Sequence, residues 1–150
     1  LEQMIEITER MVMARSPETV WATLADFGEI SRWAPNVAHS CLTSGHKEGV
    51  GSVRRVQIDR NALLERVTEW APGREIRYSI EGLPSVVRSA SNAWKLVRTD
   101  AGTTVTITSR IDTGPRPPQQ VMARVFGRVL AKASRDMLEG LKAHLEQDTP

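Results

Sequence analysis

Few residues in this chain are of a type and in a place to do chemistry. The three histidines, His39, His46 and His144, and the single Cys41 are too scattered for a metal-ligand spacing, so neither a metal nor another cofactor is expected. Among the carboxylates, Glu65 stands out. In "LLERV" it shares a period-two phase with Leu63 and Val67. Tyr78, the only tyrosine, stands in the same way between Ile76 and Ile80 in "EIRYSIE". A carboxyl turned inward among such neighbours and left unpaired would be neutral and could hydrogen-bond a carbonyl; with a second titratable group it would make a proton relay. A slip of one residue in strand phase would turn Glu65 outward instead, toward Arg54 or Arg55.

These residues need a scaffold, and composition limits its kind. A chain of 150 residues reads as a single domain over 1–150, large enough for one core. A formal charge of +2 without an obvious basic patch interleaved with aromatics excludes a dedicated nucleic-acid binder. The lone cysteine points to a reducing compartment, read as the cytoplasm, and no apolar run is long enough to span a bilayer. Leu1-Glu2-Gln3 ahead of Met4 reads as a cloning remnant, and 147–150 as a frayed tail.

Met4 to Ala14 alternates as a strand, and Ser16-Pro17 opens a helix with a capping hydroxyl and a proline preset for the first turn. Val20, Trp21, Leu24 and Phe27 share one helical face as far as Gly28. Glu29 to Trp33 then reads as a second, short helical turn stopped before Pro35. From Val37 the period is two, with strands expected at 37–43, 51–58, 62–71, 75–82, 86–98 and 103–112, joined by short turns as an antiparallel meander. Residues 114–118 read as a rigid break, and 119–146 as one long helix. On that helix Val125, Phe126, Val129, Ala133, Met137 and Leu141 form an apolar stripe, and Gly140 on the same side would admit a close backbone. Arg124, Arg128, Lys132 and Arg135 stack on another side, either as a solvated face or as an attraction to an acidic surface.

The order of elements, with "SPETVWATLADFGEISRWAPNV", "GVGSVRRV", "LLERVTEW", "IRYSI" and "LEGLKAHLE" in sequence, resembles the START-like (SRPBCC, helix-grip) superfamily, especially its bacterial polyketide cyclase/dehydrase and lipid-transport branch. The resemblance runs from Ile5 to Glu146. It implies an α+β fold: a curved seven-stranded antiparallel sheet wrapped around the long C-terminal helix, with two short helices after strand 1. It also implies a cavity between sheet and helix, with Trp33 and Pro35 in its wall unless Trp33 is plain core. A more distant similarity to the plant abscisic-acid receptors matches "HSC" and "LERV" here. It implies that His39 and Glu65 both face the cavity; the gating loops of those receptors have no counterpart at 59–61 or 81–84.

The expected lining is therefore Trp33, His39, Leu63, Glu65, Tyr78, Ile80, Ser89, Ser91, Ile107, Ser109, Val129, Ala133 and Met137. The expected function is binding of a small apolar or amphipathic molecule: a lipid, isoprenoid, quinone or polyketide. The alternative is an aromatase/cyclase using Glu65 and His39 as acid and base. Expected partners are that small molecule alone, without nucleic acid or integral membrane association, and the chain is expected to be a monomer or weak homodimer.

Overall fold

The computed structural model describes residues 4–114 and 119–147, the first five of the last helix (119–123) by their backbone alone. The expectations for 1–3, for 115–118 and for the tail past Gln147 lie outside the described residues. Within them the order is β1 (Met4–Met13), α1 (Pro17–Ala25), a 3-10 helix (Phe27–Arg32), β2 (His39–Leu42), β3 (Val53–Ile58), β4 (Asn61–Ala71), β5 (Glu75–Glu81), β6 (Ser89–Thr99), β7 (Gly102–Asp112) and α2 (Gln119–Gln147). The strands form one antiparallel sheet in the order β1-β7-β6-β5-β4-β3-β2, and α2 packs along it as the helix-grip fold requires.

Local chemistry explains the joints. The Ser16 side chain accepts from the Thr19 amide at 3.3 Å, and Pro17 occupies the first helical position, so α1 starts where the capping signal stands. It ends at Ala25, before the expected Gly28, and the chain re-coils as the 3-10 helix. Ser40 on β2 fixes that helix: its hydroxyl donates to the Gly28 carbonyl at 2.8 Å and accepts from the Ser31 amide at 3.1 Å. Between Val67 and Glu69 the register of β4 against β5 shifts, a bulge of the kind that bends a strand and curves a sheet.

Gly140 explains why the 3-10 helix is followed by Trp33-Ala34-Pro35. A side chain at 140 would run into the Trp33 carbonyl oxygen and the Pro35 ring, so the bare glycine is what lets this corner lie directly on α2. Trp33 itself packs edge-on against Trp94 with ring centroids 5.5 Å apart. The core continues through Val20, Leu24, Phe27, Ile76, Leu138 and Leu141.

Candidate functional site

Between the concave face of the sheet and the middle of α2 lies a cavity of about 470 Å³. Its wall is mostly aliphatic, with Val56, Leu63, Ile80, Leu130 and Met137 among its members. Small residues at facing positions keep it open: Ala90 and Ser109 on the sheet, Ala133 and Ser134 on the helix. Loop residues Gly82, Leu83 and Pro84 border one side.

Four polar groups of the wall, Glu65, Tyr78, Asn92 and Ser109, stand in two bonded sets, while Asn36 Oδ1, also on the wall, is buried with no hydrogen-bond partner among the described residues. In the first, Glu65 and Arg54 face each other across the β3–β4 ladder, and Arg54 Nε donates to Glu65 Oε1 at 2.7 Å with both side chains buried. Arg54 Nη1 also donates to the Phe27 carbonyl at 2.9 Å, and the guanidinium lies over the Phe27 and Tyr78 rings at 3.8 and 4.7 Å. Pairing, stacking and hydrogen bonds through Nε and Nη1 offset the cost of burying this cation, while Nη2 is buried with no hydrogen-bond partner among the described residues. In the second set, the Tyr78 hydroxyl accepts from Asn92 Nδ2 and from Trp94 Nε1, each at 3.2 Å, while Ser109 donates to Asn92 Oδ1 at 2.6 Å. Burial, and then the nearby Glu65 charge, push the Tyr78 phenol above its ordinary range. The phenol therefore stays protonated, and with both acceptor directions taken it retains one O–H to donate.

The expected lining is partly brought together. Leu63, Glu65, Tyr78, Ile80, Ser109, Val129, Ala133 and Met137 all border the cavity. His39 does not: Ser40 turns inward to hold the 3-10 helix, which puts His39 on the exposed face of the edge strand. No Glu65–His39 couple exists, and Glu65, though inward, is paired with Arg54. Trp33 belongs to the core against Trp94, and Ile107 is fully buried outside the cavity wall. On β6 the phase differs from expectation: Ala90, Asn92 and Trp94 are the buried set, Ser89 is exposed, and Ser91 borders the cavity from the phase it shares with Arg110.

Asn92 on the cavity wall was not among the expected lining, and Arg54, weighed only as a partner of an outward Glu65, pairs with it facing inward. Both had a period-two signal, Arg54 with Val56 and Ile58, Asn92 with Trp94 and Leu96. Among the described residues no cluster of His, Cys, Asp or Glu could hold a metal ion, and no helix is long and apolar enough to cross a membrane.

The family model for polyketide cyclase/dehydrase and lipid transport matches residues 4–146. Among solved structures the chain is similar to the Zhui aromatase/cyclase from Streptomyces sp. R1128, with 20% identity over 97% of this chain and 95% of that one and a TM-score of 0.79. It is similar to the di-domain ARO/CYC StfQ of the steffimycin biosynthetic pathway, with 15% identity, 96% of this chain, 51% of that one and a TM-score of 0.76. It is also similar to protein XoxI from Bacillus cereus, with 22% identity, 94% and 95% coverage and a TM-score of 0.74. At these identities the likeness is one of fold. A search of the curated proteins gave no match.

Proposed function

Because the chain belongs to the polyketide cyclase/dehydrase and lipid transport family, we propose that it holds a small hydrophobic or amphipathic molecule, of the lipid, isoprenoid, quinone or polyketide kind, between the sheet and α2. The observation that carries this reading is the cavity itself. Its volume of about 470 Å³ suits a small ligand, and its mostly aliphatic wall is broken by a minority of polar groups. The Tyr78 O–H is the natural anchor for a ligand carbonyl or hydroxyl, and Asn92 and Trp94 hold that phenol in place.

An aldol cyclase would need an acid and a base within reach of the same substrate carbon. Glu65 is occupied by Arg54, and His39 lies on the outer face of the sheet, so the chemistry proposed for that pair has no site here. Holding a ligand is the function the geometry supports better.

A neutral solvatochromic dye should bind with a dissociation constant of roughly micromolar order or tighter and be displaced by apolar competitors. Ala133→Trp, which fills the space beneath α2, should abolish that binding while leaving the fold intact by circular dichroism. A parent protein that ignores every apolar probe sinks the reading. Turnover of a model poly-β-keto thioester by the parent would establish the cyclase instead.

A further inference from the structure

The charges of this chain are unevenly spread. Segments 82–91 and 119–135 carry five of the twenty lysines and arginines and none of the eighteen acids, which leaves fifteen cations against eighteen acids elsewhere. Both segments border the cavity, through Leu83 and Pro84 on one side and Val129 and Ala133 on the other. Lys132 and Arg135 are taken by Asp136 and Glu9. Arg88, Arg124 and Arg128 are exposed and have no ion-pair partner among the described residues. The acids just outside the two segments do not offset them: Glu81 faces Arg66, and Asp112 is buried, accepting from the Gly114 amide. On the same two segments Val86, Val125 and Val129 stand in water, the last two 57% and 59% exposed.

We propose that this rim docks on an anionic lipid bilayer, with the valines entering the acyl boundary and the three free arginines meeting headgroup phosphates. The proposal rests on the reading of the cavity as an apolar-ligand site, because a ligand leaving it would otherwise have to cross water. Aliphatic side chains beside unpaired cations are what interfacial binding uses. A protein partner is the weaker fit, since protein hot spots centre on tryptophan and tyrosine in packed pockets, whereas among the described residues the large exposed apolar side chains of this rim are all valine.

The test is co-sedimentation of the intact protein with vesicles of phosphatidylcholine alone and of phosphatidylcholine doped with phosphatidylglycerol. Binding is expected only to the doped vesicles and should weaken as added salt shortens the screening length. Arg124→Glu/Arg128→Glu should lower the partition coefficient by roughly tenfold or more, with the affinity for the neutral dye unchanged. Val125→Ser, which keeps every charge, should lower it several-fold. Equal binding to neutral vesicles, or binding that survives both variants, overturns the proposal. So does failure to bind any vesicle while dye binding persists, and so does capture by poly-glutamate without vesicle binding, which would point to an acidic protein. Vesicle binding with no dye uptake would sink the cavity reading and leave the docking surface standing.

Discussion

In its C-terminal half α2 presents Met137, Leu138, Leu141 and Leu145 to the core, and all four are buried. One turn before Ala133 the same helix leaves Val129, and with it Val125, more exposed than covered. The helix is continuous, so the difference lies in what faces it. The core cluster that takes in the C-terminal half includes Trp33, Phe27 and Trp94, and Gly140 brings the Trp33-Pro35 corner onto the helix backbone. Opposite the N-terminal half are Ala90, Ser109 and the Leu83-Pro84 loop, too small or too far away to close the space. One end of the grip is sealed by bulk and the other held apart by small residues, so a single fold supplies both a rigid clamp and an opening. Substitutions at the two ends should therefore differ in size and, in one pairing, in sign.

The largest effect belongs to the buried ion pair between these two regions. Arg54→Leu removes the only partner that the buried Glu65 carboxylate has among the described residues and should destabilise by about 3–5 kcal/mol in urea unfolding. Arg54→Met with Glu65→Leu, which removes both charges together, should recover most of that loss. If the single substitution costs no more than the double one, the two charges are not coupled in the folded protein.

A sharper comparison uses alanine at two positions of α2. Gly140→Ala gains helix propensity of about 1 kcal/mol, yet its new methyl meets the Trp33 carbonyl, a backbone atom that cannot swing aside. Overpacking of this kind costs about 1–3 kcal/mol, so a net loss is expected. Val125→Ala loses little buried surface and trades a β-branched residue for the best helix former, a gain of about 0.5 kcal/mol. Opposite signs in thermal unfolding would support the contrast between the two halves. A stabilising Gly140→Ala would mean the corner is looser than the structure shows.

How far the sequence announced all this depends on which forces act locally. Capping at Ser16 and alternation along β4, β5 and β7 are local, and each appears where the pattern puts it; of the stripe expected on α2, Met137 and Leu141 are buried, whereas Val125 and Val129 are exposed because nothing bulky faces that half of the helix. The notch at Gly140 was legible too, because a glycine on an apolar helical face asks what approaches it. The errors came where partners distant in sequence decide. On the four-residue β2 the hydrogen bonds of Ser40 to Gly28 and Ser31 set the phase and turn His39 away from the cavity. On β6 Ser89 looked like a pocket polar, but the bulky Trp94 and Leu96 fix the phase and carry Asn92 inward, leaving Ser89 exposed while Ser91 still borders the cavity. Arg54 was hidden by its charge. Its inward phase was readable, but the stack on Phe27 and Tyr78 that makes burial tolerable joins three separate elements.

The smallest effect expected at the sealed end is electrostatic. Glu146 Oε2 accepts from Lys142 Nζ at 2.6 Å and from the Ala14 amide at 3.1 Å, tying the end of α2 to the chain leaving β1. The Lys142 bond first, and the Ala14 bond second, hold this carboxyl below its ordinary range, against a smaller opposing effect of burial. A carboxyl whose titration is depressed by folding stabilises the native state above its unfolded range, and that contribution disappears as pH falls through its folded value. Glu146→Gln should therefore melt slightly below the parent at neutral pH, and the gap should close on acidification. The check is the midpoint of thermal unfolding followed from neutral pH into the acid range for both proteins. A gap that stays constant into acid would mean that this side chain acts through packing and the neutral part of its bond to Ala14.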